Sequence, residues 1–174
     1  MTIKHLVVTG GSVAGFVIYG ILKSLSHYNY YNINNIKSIY ATSVGTMIST
    51  FLILKYKLTE IDDYLIKRPW HKSIAIKLDN ILNISKNKGI LDIESIVKLI
   101  LGPLLTAKDL PESITLKELY NYNNIEFHIY TINISNNIPK LIDLSHKTHP
   151  DLELFKAIAM SSAVPIIFSP ILYN

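Results

Sequence analysis

The sequence predicts an α/β fold in which a parallel sheet is covered by helices. Three observations carry this reading. Two short apolar runs, His5 to Thr9 and Ile36 to Thr42, each end in a turn of small residues. Each turn leads into a stretch with apolar residues at helical spacing, so the order is strand, turn, helix, strand, turn, helix. A third strand-like segment, with a possible hairpin partner, follows a mostly helical middle.

The elements follow in order. His5 to Thr9 reads as a buried strand running into Gly10-Gly11. Gly15 to Leu25 reads as a helix with Lys23 and Ser24 on its exposed side. Tyr28 to Asn35 is low in complexity and reads as a loop, before the strand of Ile36 to Thr42. Gly45 to Tyr56 is apolar nearly all round and reads as a buried helix. Thr59 starts the next helix, with Glu60 in the first turn and Asp62 three positions on. Asp62-Asp63 reads as a solvated helix start, and Trp70 as a core anchor or part of a lid.

Residues 71 to 110 read as mostly helical, interrupted at Gly89, with Asp92 capping a helix over Ile93 to Leu101. Thr115 and Glu118 form a capping box before a short helix. Glu126 to Asn133 alternates like a strand, and Ile138 to Leu144 pairs with it as a hairpin across Asn136-Asn137. Leu152 to Ser162 is the final helix, in which Ser161 and Ser162 permit close packing on the sheet. Pro165 and Pro170 then hold the chain extended. There is no linker and no internal repeat, so residues 1–174 read as a single domain.

Composition bounds the function. Apolar residues make up 49% and charged residues 17% of the 174, enough for a real core and on the apolar side for a soluble protein. The net charge of +4 comes from scattered lysines and arginines, which fits ordinary surface balance or a mild attraction to anionic surfaces. No dense basic block supports nucleic-acid binding. The absence of cysteine removes disulfides, thiol catalysis and Cys-based zinc sites. The start lacks the shape of a signal peptide and the longest apolar runs are too short to span a bilayer, so an intracellular location is expected. The six histidines show no metal spacing, and no cofactor is expected.

Two turns carry the chemistry. Ala41-Thr42-Ser43-Val44-Gly45 is close to G-x-S-x-G, the nucleophile elbow. A sharp strand-to-helix turn strains the serine backbone and pushes Oγ out of the sheet. Small residues at Ala41 and Gly45 let the chain bend, and the following helix N-terminus favours developing negative charge. The plain alternative is a serine capping an ordinary helix.

Thr9-Gly10-Gly11-Ser12-Val13-Ala14-Gly15 offers free backbone N–H groups to an anion. A dinucleotide site wants a glycine where Ser12 stands and an acid about 20 residues on, where the second strand instead ends in Ser43. A Walker A loop wants a Gly-Lys-Ser/Thr ending, which is absent. An oxyanion hole needs a nucleophile at the end of the next strand, and Ser43 is there. A glycine turn that only packs helix against strand remains the plain alternative. A Ser-His-Asp triad would draw on His146 or His149.

Together the two turns resemble the patatin-like phospholipase family, which reads G-G-G-x-K/R-G after the first strand and G-T-S-V-G after the second. The resemblance continues through Gly89-Ile90-Leu91-Asp92, Ile114-Thr115-Leu116-Lys117-Glu118-Leu119, and Ala157 to Pro165 with Phe168 and Pro170. It covers nearly the whole chain in order. It implies a three-layer fold, a mainly parallel central sheet with helices on both faces. It also implies a Ser-Asp dyad acting on acyl lipids or phospholipids, with peripheral contact with a membrane surface. Ser43 would be the nucleophile, and the backbone N–H groups of Gly10, Gly11 and Ser12 the oxyanion hole.

Three departures stand out. The family's Asp-Gly turn, which supplies the base, has no match in residues 1–174, so the domain is expected to be incomplete at its C-terminal side. Ser12 replaces the third glycine, and Ala14 replaces the Lys or Arg. Two expectations follow: an acyl-lipid hydrolase whose base lies elsewhere, or an inactive remnant that binds lipid or a partner.

Overall fold

The computed structural model describes residues 2–70, 88–135 and 138–172. The helical reading of 71–87 and the hairpin turn at 136–137 lie outside the described residues. The central sheet has the order β1-β2-β4-β5. β1 (His5–Val8), β2 (Ser38–Ala41) and β4 (Glu126–Asn133) are parallel; β5 (Lys140–Leu144) runs antiparallel to β4. The fold is mixed α/β with a mostly parallel sheet and helices packed against it.

Register explains the core. Val8, Ala41 and Ile129 align across three strands, as do Leu6, Ile39 and Phe127, and Leu144 pairs with Ile129. One face of the pleat thus gathers Val8, Ile39, Ala41, Phe127, Ile129 and Leu144, all buried. Alternate positions carry Val7, Tyr40, His128 and Tyr130. Val7, on the edge strand, is 84% exposed.

The helices are α1 (Gly15–His27), α2 (Val44–Ile53), α3 (Leu58–Lys67), α4 (Ile93–Thr106), α5 (Leu116–Asn123) and α6 (Leu154–Ser162). α2 is buried along nearly its whole length, as its sequence predicts, but it ends at Ile53, before Tyr56. The start of α3 differs from expectation. Its N-cap is Lys57, whose backbone N–H donates to Glu60 Oε2 at 2.8 Å, so Thr59 lies inside the helix. Asp62 is not simply solvated: it accepts from the Tyr19 hydroxyl and from Lys23, tying α3 to α1. The capping box of Thr115 and Glu118 forms as read, and the Asp92 side chain accepts from Glu94 N–H at 3.0 Å.

α4 runs on to Thr106, straight through Pro103, where the sequence suggested a stop at Leu101. Proline has no N–H to offer the carbonyl four residues back. That carbonyl belongs to Leu99, and Arg68 Nη2 donates to it at 2.7 Å. A side chain from beyond α3 thereby replaces the missing helical bond.

β3 (Gly89–Leu91) and β6 (Ile166–Phe168) make a second, two-stranded parallel sheet. From the sequence, Gly89 interrupts a helical stretch and opens the Gly89-Ile90-Leu91-Asp92 segment. Its place in a strand follows from contact: a Cβ there would lie 2.2 Å from Ser169 N and 2.3 Å from the Phe168 carbonyl carbon. Only glycine allows that approach. Two of the sequence segments that carry the family resemblance are therefore paired with each other.

Candidate active site

The serine turn joins β2 to α2. Ser43 has φ 51 and ψ −131, a conformation that L side chains rarely adopt. Such a backbone costs about 1–3 kcal/mol and persists only where its surroundings enforce it. Five hydrogen bonds do so. Gly45 N–H donates to Thr42 O at 2.9 Å, and Thr46 N–H donates to Ser43 O at 2.8 Å. The Thr46 hydroxyl donates to the same Ser43 carbonyl at 2.6 Å. On the other side, the Ser43 N–H donates to Ser161 Oγ at 2.9 Å, and Ser161 Oγ donates to Tyr130 O at 2.6 Å.

The small residues of the turn are needed for contact. A Cβ on Gly45 would lie 2.5 Å from both the Val8 and Thr9 carbonyl oxygens, so α2 abuts the end of β1 directly. Ala41 is buried in β2, where its register pairs it with Val8 and Ile129. Ser43 itself is half-buried, and its Oγ has no hydrogen-bond partner among the described residues.

The glycine turn lies against the serine turn. A Cβ on Gly10 would lie 3.1 Å from Ser43 Cβ, and one on Gly15 would lie 2.5 Å from a Val44 methyl. The Gly10 N–H donates to Thr42 Oγ1 at 3.0 Å. The N–H groups of Gly11 and Ser12 donate to no described residue. Ser12 opens a 3₁₀ turn (Ser12–Ala14) with φ 52, the left-handed region where glycine is at ease and serine is not. Gly10, Gly11, Ser12, Ala41, Ser43 and Gly45 are thus brought into one place.

His128 and His146 are engaged with other partners. His128 pairs with Asp143 at 2.8 Å and stacks on Tyr40, and His146 stacks face to face on Tyr120 at 3.9 Å. Burial pushes the His146 imidazole down toward its neutral form. Burial, with Asp143 second, pushes the Tyr130 phenol up. None of these side chains bonds to Ser43. Among the described residues no group of three His, Cys, Asp or Glu side chains is placed to hold a metal.

A cavity of about 290 Å³ opens beside the two turns. Ser12, Gly15 and Val44 line it on the side of the turns, and Leu65, Trp70 and Ile100 on the side of α3 and α4. No charged residue is among its described lining.

Two features were not read from the sequence. The sequence suggests close packing for Ser161, and its hydroxyl also anchors the strained turn from 118 residues away. The sequence offers Trp70 as a core anchor or part of a lid, and it lines the cavity. The A-M-S-S-A pattern could have flagged Ser161 as polar on a buried helix face, but not named its partner.

The arrangement defines an α/β protein with a strained serine at a strand-to-helix turn, beside a glycine turn with unpaired N–H groups. The chain belongs to the patatin-like phospholipase family, whose model matches residues 6–174. It is 30% identical over 173 residues to "Probable lipid hydrolase 463L" of Invertebrate iridescent virus 6, a match covering 98% of this chain and 57% of that protein. It is 25% identical over 172 residues to an uncharacterised protein of Acanthamoeba polyphaga mimivirus, covering 99% and 55%. The chain thus spans little more than half the length of these relatives. The fold is similar to that of the type III effector protein ExoU, with a TM-score of 0.61 at 16% identity over 92% of this chain and 40% of that one. VipD from Legionella pneumophila gives a TM-score of 0.60 at 14% identity over 95% and 43%. Among the described residues no helix is long and apolar enough to cross a membrane.

Proposed function

We propose that this chain carries the nucleophile and oxyanion loop of an acyl-lipid hydrolase, with Ser43 as the nucleophile. The observation that carries the proposal is the Ser43 backbone, held at φ 51 and ψ −131 at the N-terminus of a buried helix. Strain of this kind is expensive, and here a dedicated set of hydrogen bonds maintains it.

In the proposed reaction Ser43 Oγ attacks the ester carbonyl carbon while its proton passes to a carboxylate. The carbonyl oxygen becomes an oxyanion facing the glycine turn. The tetrahedral species collapses, the C–O bond to the alcohol breaks, and the alcohol takes the proton back. Water then repeats the sequence on the acyl-serine and releases a fatty acid. Gly11 and Ser12 are the donors with open N–H groups, and Gly10 joins them once it exchanges Thr42 Oγ1 for the oxyanion. No aspartate of residues 1–174 stands in an Asp-Gly turn, so the proposal draws the base from sequence that these residues do not contain. A base of this kind contributes about 10²–10⁴-fold. The substrates are acyl lipids or phospholipids, met at a membrane surface.

The second reading is an inactive patatin-like remnant that binds lipid or a partner. Two observations favour it: the Gly10 N–H is occupied by Thr42, and Ser12 stands in a left-handed conformation that suits glycine. A fluorophosphonate probe separates the two. Labelling of the full-length protein, lost in Ser43→Ala and read by intact mass, is the expected result. Ester hydrolysis that survives Ser43→Ala in the full-length protein would sink the nucleophile assignment. Lipid binding without labelling would support the remnant.

A further inference from the structure

The cavity beside Ser43 has a mouth and a wall. At the mouth, Val13 and Phe16 line it while remaining 83% and 58% exposed, so the opening faces solvent. At the wall stands Trp70, the single tryptophan of the chain. It is held on several sides. Its indole N–H donates to Leu65 O at 2.7 Å, and the Tyr64 ring meets it edge-on at 5.9 Å. The Arg68 guanidinium lies 5.1 Å from its ring centroid and is itself fixed to the Leu99 carbonyl that Pro103 leaves free. Trp70 is therefore braced against α4 through Arg68.

We propose that this cavity seats a single acyl chain of medium length and that Trp70 sets the length limit. The inference rests on the reading of Ser43 as the acyl-accepting residue, because Ser12 and Val44 place the inner lining next to it. At about 290 Å³ the cavity lies at the low end of small-molecule sites, roughly 300–1,000 Å³, too small for both tails of a diacyl lipid. Counting about 30 Å³ for each water-sized group, it holds a chain of about eight to ten carbons. Its described lining residues carry no charge to reward a headgroup, so the headgroup stays at the mouth. Trp70 is a positioning residue here: it touches the far end of the chain, not the reacting carbonyl.

Free fatty acids are products, so their binding can be measured on the unaltered chain without turnover. Saturated acids of 6, 10 and 16 carbons would be titrated by calorimetry, with Trp70 emission as a second readout in the unaltered protein. Affinity is expected to climb from 6 to 10 carbons by about fourfold per methylene, the value for full burial, and to level off before 16. Trp70→Ala is expected to raise the affinity for 16 carbons relative to 10 by at least tenfold. Ile100→Phe, which fills the cavity from α4, is expected to move the plateau toward 6 carbons. Trp70→Phe keeps an aromatic wall and guards against a folding defect in the alanine variant; it should keep the plateau. An affinity that keeps rising to 16 carbons in the unaltered chain overturns the proposal. So does a ratio that Trp70→Ala and Ile100→Phe both leave unchanged. A plateau without fluorophosphonate labelling of Ser43 in the full-length protein would defeat the hydrolase reading alone, and labelling without a plateau would defeat this inference alone.

Discussion

The hydroxyl of Ser161 accepts the backbone N–H of Ser43 at 2.9 Å while donating to the Tyr130 carbonyl at 2.6 Å. One oxygen thus links the strained turn, the last helix and the central strand β4. Removing it leaves the Ser43 N–H and the Tyr130 carbonyl without this partner. Ser161→Ala is expected to cost about 1–3 kcal/mol in denaturant unfolding and to slow fluorophosphonate labelling at Ser43. Ser161→Thr, which keeps the hydroxyl, should restore most of both. Labelling at the native rate in the alanine variant would remove Ser161 from the site.

Glycines in this chain differ sharply in what they permit. A Cβ on Gly45 would lie 2.5 Å from two backbone oxygens, whereas one on Gly20, in the middle of α1, would meet nothing within 4 Å. Gly45→Ala is expected to destabilise by about 1–3 kcal/mol through overpacking. Gly20→Ala is expected to stabilise by about 0.5–1 kcal/mol through helix propensity. Thermal midpoints of the two variants moving in the same direction would contradict the packing described here.

Ser12 sits at φ 52, in the left-handed region that favours glycine. Ser12→Gly relieves a left-handed backbone that costs a side-chain-bearing residue about 1–2 kcal/mol, partly offset by the entropy of glycine in the unfolded chain. A net gain of about 0.5–1 kcal/mol is expected, together with faster labelling of Ser43. A variant less stable than the unaltered chain would show that the Ser12 side chain has a stabilising contact.

Arg68 and Pro103 should be energetically coupled. Arg68→Ala leaves the Leu99 carbonyl without its donor and is expected to cost about 1–3 kcal/mol. Pro103→Ala returns an N–H to that carbonyl, so Arg68→Ala should cost less in the Pro103→Ala background. A double-mutant cycle measures the difference, and simple additivity would refute the link.

Two acid-side losses of stability are expected in different windows. The His146 imidazole is pushed below its ordinary value of 6.5, chiefly by burial, so the fold favours its neutral form. That contribution is complete above 6.5 and is lost as pH falls through the lowered value. The Asp62 carboxyl is held below its ordinary 3.8, first by Lys23 and then by the Tyr19 hydroxyl, and Glu126 is lowered chiefly by Lys147. Their contribution is present above the ordinary carboxylate range and is lost as pH falls through the lowered values. Urea midpoints between pH 7 and pH 3 should therefore fall in two stages. His146→Phe, which keeps a ring against Tyr120, should abolish the first stage. Asp62→Asn should shrink the second.

Much of the site was legible because its signals are local. The bend at Ser43, the small residues around it and the Thr115–Glu118 cap all depend on neighbours within a few positions. The misread elements are those decided by distant partners. Glu60 caps α3 from inside its first turn, leaving Asp62 free for Tyr19 and Lys23 on α1. α4 continues past Pro103 because Arg68 supplies a donor that helix rules do not anticipate. Gly89 belongs to a strand because Phe168 and Ser169 arrive to pair with it. Ser161 anchors Ser43 across 118 residues, a distance over which no periodicity speaks.

The pairing of β3 with β6 also bears on the order of assembly. Gly89 and Ile166 are matched in parallel register, so the small sheet closes only after the whole hairpin of β4 and β5 and the helix α6 lie between them. Contacts across so long a stretch pay their loop-closure entropy before they return any stability, which makes them late events in folding. On a ribosome β3 is made well before its partner β6. A strand edge left exposed in that interval is open to wrong partners.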